Sequence, residues 1–88
     1  MEMIYLFGYK LAELIKQNDA AGLGLLCLAI KDAGKTTQQM GYQDFKEVFN
    51  SHLPNRLEKA KVPNRDQVVR EMLTLLNQKQ SVFTMTTR

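Results

Sequence analysis

The segment 20–33, which contains the run "AGLGLLCLAI", constrains this chain more than any other. Leu23, Leu25, Leu26, Cys27, Leu28 and Ile30 cover most of the circumference of a helix drawn through it. A helix that is apolar all round is expected to be buried on all sides, so the segment reads as a central helix. Asn18-Asp19 before it is a turn and N-cap signal. Gly34 after it, with Lys31 and Lys35 nearby, is a C-terminal signal: glycine at C′ and cations at the negative end of the helix dipole. Gly22 and Gly24 lower the intrinsic helix propensity and would let neighbouring helices approach closely.

The remaining segments supply partners for such a helix. Ile4, Phe7, Leu11, Leu14 and Ile15 lie on one face of a helix over about 3–17, although Met3, Tyr5 and Phe7 also alternate as in a strand. Thr36 and Gln39 read as a capping box. Phe45, Val48, Phe49 and Leu53 then stripe a helix over about 43–53, which Pro54 stops or redirects. A short helical piece over 55–60 carries Leu57. After Val62-Pro63, Asn64 and Gln67 form a second box opening the last helix, with Val69, Met72, Leu73 and Leu76 as its stripe and Val68 and Leu75 widening it. The ending "SVFTMTT" reads as a short strand over 81–86. The predicted fold is mainly α: one compact domain of four to five helices over 1–88, with a short C-terminal β-strand.

The chain has 88 residues and a net charge of +3, from twelve Lys and Arg against nine Asp and Glu. This mildly basic balance permits nucleic acid or an acidic protein as partner and requires neither. Leu, Ile, Val, Phe and Met number 29 in all. A domain this small buries only about 60–65% of its unfolded surface, so few of these side chains can stay outside without a reason such as a partner. The lone Cys27 allows no internal disulfide, and a reducing, cytoplasmic or nuclear compartment is expected. No apolar run approaches the ~20 residues of a membrane span, and the start, "MEMIYLFGYK", lacks the features of a signal peptide.

The stretch "AIKDAGKTT" ends like a phosphate-binding loop, with Gly34-Lys35-Thr36. That loop needs a glycine five residues before Gly34, so that the backbone can turn its N–H groups onto phosphate oxygens. Ala29 stands there, followed by helix-continuing residues, and Asp32 would repel phosphate. A helix boundary is the expected reading, and no cofactor is expected. The stretch "TTQQMGYQDFKEVF" could form a helix-turn-helix corner over 36–50, with Gly41 at a positive φ in the turn. Within it "GYQDFKEVF" resembles the second helix of arabinose-regulator-type DNA-binding domains, a resemblance that implies base contacts from this helix. Its exposed face would hold Gln43, Lys46 and Asn50 beside Glu47, and Asp44 and Glu47 would oppose phosphates. The basic stretch 56–70 offers Arg56, Lys59, Lys61, Arg65 and Arg70. It contains the repeated Pro-Asn-Arg of "LPNRL" and "VPNRD", where Asn55 and Asn64 are expected to cap helices.

No metal site is expected from one histidine, His52, and one cysteine about 25 residues away. Cys27 lies in the most apolar segment, where a thiol is inert, so catalysis by this pair is not expected either. His52 is expected near a helix end at the surface. The function expected is a non-catalytic regulatory or adaptor module that binds a protein partner through a helical surface. Met1, Met3, Met40 and Met85 at its edges would suit adaptable contacts. The alternative is a nucleic-acid-binding regulator using 36–50 and 56–70. A lone strand leaves unpaired backbone groups, so 81–87 is also expected to pair, foremost with a second copy as a homodimer.

Overall fold

A computed structural model describes residues 3–81 and residue 83. Its elements, in order, are α1 (Met3–Ile15), α2 (Asp19–Asp32), α3 (Tyr42–Glu47), a π turn (Val48–His52), α4 (Leu53–Lys59) and α5 (Arg65–Gln78). The expected mainly α fold is observed. The strand expected over 81–86 is not: Gln80, Ser81 and Phe83 are helical, and the rest of that segment lies outside the described residues.

α1 and α2 form an antiparallel hairpin across a short turn. Asn18 caps α2 as expected, its side chain accepting from the Ala21 N–H at 2.8 Å. The helices approach closely because Gly8 and Ala12 of α1 face Gly22 and Leu23 of α2. Gly24, by contrast, faces open space, so only Gly22 has the expected packing role.

The middle of the chain departs from expectation at Pro54. α3, the π turn and α4 are one continuous helical run from 42 to 59 rather than two pieces. In a regular helix the proline ring would strike the carbonyl of Asn50. The turn is widened instead, and the Leu53 N–H bonds to the Val48 carbonyl, one residue further back than in an α-helix. The run therefore passes Pro54 without ending. Asn55 falls inside α4 and is no cap, and Asn64 precedes α5 without a side-chain capping bond. The cap of α3 lies elsewhere than expected as well. Thr36 and Gln39 sit in a turn, while Asp44 reaches back to accept from the Gly41 N–H at 2.9 Å.

Phe7, Phe45 and Phe49 occupy the centre. Phe7 meets Phe45 edge-on at 4.8 Å between ring centroids and Phe49 at 5.4 Å. Such pairs add about 0.5–1.5 kcal/mol each beyond the area they bury. Around them close Leu11, Leu26, Ile30, Leu53, Leu57, Val68, Met72 and Leu76, all fully buried. α5 is thus turned slightly from its expected stripe: Val68, Met72 and Leu76 face inward, and Val69, Leu73 and Leu75 flank them. α2 is not the central helix. Only its Gly22, Leu26, Ala29 and Ile30 side is buried, and the phenylalanine cluster takes the place it was expected to hold. Met3 and Met40 pack against the core instead of forming free edges.

Candidate functional site

The phosphate-loop stretch is a helix end. Ala29 and Ile30 are buried within α2, and Gly34 adopts φ 72° in the turn after it. Lys35 extends to Asp44 at 2.9 Å and Glu47 at 3.7 Å, tying this turn to α3. The Gly41 N–H and the Lys35 ammonium together hold the Asp44 carboxyl below its ordinary pKa.

The helix-turn-helix corner is not formed. Residues 36–40 make a turn without a first helix, and Gly41 has φ −96°, extended rather than left-handed. Gln43, Lys46 and Asn50 are exposed along the run that begins with α3. Of the basic stretch, Lys59, Lys61, Arg65 and Arg70 are exposed. Arg56 is not free: its Nε and Nη2 donate to the two carboxylate oxygens of Asp32 at 2.6 and 2.8 Å. This two-pronged bond lowers the pKa of Asp32 and joins α4 to the end of α2. His52 lies 3.8 Å from Glu47, and Cys27 is half-buried. Among the described residues no group of histidine, cysteine and carboxylates could hold a metal ion. No described helix is long and apolar enough to cross a membrane.

Three surface features remain. The first is the outer face of the α1–α2 hairpin. On α2, Ala20, Gly24 and Leu28 recur every four residues and are exposed, Leu28 by 43%. On α1, Tyr5 and Tyr9 lie one turn apart, and Tyr9 also lines the groove between α1 and α5. They are 40% and 41% exposed, with ring centroids 6.1 Å apart. Leu23 packs on Gly8, and Cys27 one turn further is half-buried. Nothing in the pattern of the chain singles out these tyrosines or Leu28 as exposed. The signal is the circumferential apolarity of α2, which is equally a mark of a helix with one face left for a partner.

The second feature is a groove of about 580 Å³ where the end of α1, the start of α2 and the α4–α5 turn converge. The third is a groove of about 520 Å³ between α1 and α5, whose lining includes Glu13, Asp19 and Glu71. Comparison with protein-family models, with curated proteins and with solved structures finds no match in any of the three.

Proposed function

We propose that the protein is a non-catalytic binding module that docks onto a protein partner through the outer face of the α1–α2 hairpin. The observation that carries this reading is α2 itself: it is apolar around its circumference yet covered on one side only. A domain this small has few large apolar side chains to leave in water without a use for them. Leu28 supplies an apolar anchor for a partner helix, and the exposed Gly24 and Ala20 beside it on α2 admit a close backbone. A regulator or adaptor in a reducing compartment fits this reading.

Matched baits test it. The full chain and a Leu28→Asp variant are used for affinity capture, with Lys46→Asp on another face as control. A partner retained by the control and lost with Leu28→Asp supports the reading. Equal capture by all three baits overturns it, as does turnover in an activity screen with no partner captured.

The exposure of Lys46, Lys59, Lys61, Arg65 and Arg70 favours a second reading as a nucleic-acid-binding regulator. Arg56 contributes less than its position suggests, because Asp32 holds it. The discriminating measurement is salt dependence. Each neutralised phosphate on duplex DNA adds about 0.9 to the slope of log K against log salt. Binding to duplex that weakens steeply with salt, with a slope flattened in the Lys59→Ala/Arg65→Ala variant, selects this reading. No binding at low salt removes it.

A further inference from the structure

We propose that the groove between the end of α1, the start of α2 and the α4–α5 turn binds a small amphiphilic carboxylate, a hydrocarbon body carrying one anionic head. This site is separate from the outer face of the hairpin, and it stands or falls independently of that face.

The lining divides into two parts. Leu14 and Ile15 of α1, Leu25 of α2 and Val62 of the α4–α5 turn supply apolar wall, and Lys16 and Lys61 supply cations. No aspartate or glutamate is among the lining residues. At about 580 Å³ the groove falls within the range of small-molecule sites, which are mostly apolar with a few placed polar groups. The two ammonium groups add attraction for an anionic head that a neutral apolar ligand would lack, and a cation would meet like charge. An apolar body with a carboxylate satisfies both parts of the lining.

The two lysines hold unusual backbone positions. Lys16 and Lys61 have φ 60° and 59°, the only non-glycine residues in the left-handed region among those described. Each is the C′ residue of a helix closed by a bond from the next residue back across six positions: Gln17 N–H to the Ala12 carbonyl and Val62 N–H to the Leu57 carbonyl, both 3.0 Å. The same closure ends α2, where Lys35 N–H bonds to the Ile30 carbonyl at 3.2 Å and the left-handed residue is Gly34. Glycine takes this conformation at no steric cost, whereas a side chain there is strained. The chain carries glycine at the closure away from the groove and lysine at the two that border it. Neither Lys16 nor Lys61 makes an ion pair among the described residues, so their charges are available to a ligand.

The α1–α5 groove provides an internal control. It is similar in size, but it carries Glu13, Asp19 and Glu71, and its Lys10 is paired to Glu13 at 3.1 Å. An anion should avoid it.

The test is a titration of the isotope-labelled full chain with sodium octanoate, monitored by amide chemical shifts, with octanamide as the neutral counterpart. About ten heavy atoms at roughly 0.3–0.4 kcal/mol each give an expected dissociation constant on the order of 1–6 mM. Saturable shifts are expected at Leu14, Leu25 and Val62, with octanamide binding about tenfold more weakly. The Lys16→Met/Lys61→Met variant keeps the apolar stems. It should lose about tenfold in octanoate affinity while octanamide is unaffected. If the double variant does not fold, each single variant should lose about threefold. Any one of four results overturns the proposal: no saturable shifts up to about 10 mM, equal affinity for octanamide, shifts centred on the α1–α5 groove, or undiminished octanoate binding in the lysine variants.

Discussion

Gly22 lies so close to Ala12 that a methyl group added to it would sit 2.5 Å from both the Cβ and the backbone nitrogen of Ala12. The carbonyl oxygen of Gly8 would be equally near. Two of these three obstacles are backbone atoms, which cannot swing aside, so Gly22→Ala must push α1 and α2 apart. The expected cost is about 2–3 kcal/mol, the upper part of the range for overpacking. Gly24 is the matched control two residues away, where an added Cβ meets nothing within 4 Å. Gly24→Ala should stabilise the fold by about 0.5–1 kcal/mol through helix propensity alone. Urea denaturation of both variants checks the opposite signs.

Lys16 and Lys61 each occupy a conformation that costs a non-glycine residue about 1–2 kcal/mol. Replacement by glycine removes that strain, but it loosens the unfolded chain by about 0.5–1 kcal/mol and removes a cation from the helix end. Lys16→Gly and Lys61→Gly should therefore each raise stability slightly, by about 0.5 kcal/mol. A gain in denaturation midpoint together with weaker octanoate binding would mark the two lysines as retained for the groove. A loss of about 1 kcal/mol or more would show that the helix-end cation matters more than the strain.

Local signals carried much of this fold. Asn18 and Gly34 mark the ends of α2 because capping and left-handed turns depend on one or two residues. Phe45, Val48, Phe49 and Leu53 were legible as one inward stripe because helical periodicity is local as well. What was not legible depended on tertiary context. Nothing near Pro54 announces that a widened turn will carry the helix past it. The apolarity of α2 fits a central helix and a half-covered one equally, and only the phenylalanine cluster from other segments decides between them. The groove joins the end of α1 to a turn about 45 residues later in the chain, a proximity that periodicity does not encode. Lys61 stood out as one cation in a basic stretch, whereas Lys16 had no local signal beyond its place between a helix stripe and the Asn18 cap.

Two carboxylates contribute to the acid limb of stability. Asp44 accepts from the Gly41 N–H and from Lys35, and Asp32 accepts from Arg56, so both pKa values lie below the ordinary 3.8. A depressed folded pKa contributes stability that is present above the unfolded value and lost as pH falls through the folded one. Stability should thus be level near neutrality and decline below about pH 4. Lys35 has the opposite sign. Its pKa is raised above 10.5, chiefly by its hydrogen bond to Asp44, so its contribution is lost only as pH rises beyond that value. Asp44→Asn removes the charge from both pairs. The variant should be less stable than the parent at pH 7, and the gap should close towards pH 2. A gap that stays constant with pH would mean that the charge of Asp44 contributes nothing.

Phe83 decides how the end of the chain should be tested. It is 7% exposed, and its ring lies 5.8 Å from that of Phe45 and 6.1 Å from that of Tyr42. It therefore belongs to the core of its own chain and is not presented to a second copy. Replacing a buried phenylalanine with alanine costs about 3–5 kcal/mol. At the lower end of that range, about 3 kcal/mol is expected for Phe83→Ala, a large part of the 5–15 kcal/mol that holds a typical domain. The thermal midpoint should fall by about 12–24 °C, at 4–8 °C per kcal/mol for a domain of this size. A chain ending at Gln80 loses the same side chain and should be destabilised to a similar degree. Loss of a dimer in that shortened chain would consequently report unfolding as readily as a missing interface. The informative comparison is sedimentation equilibrium of the full chain against a chain ending at Phe83, which keeps the core contact and removes only residues 84–88. A dimer that survives this truncation cannot depend on pairing of the last five residues, which the expected 81–87 interface requires.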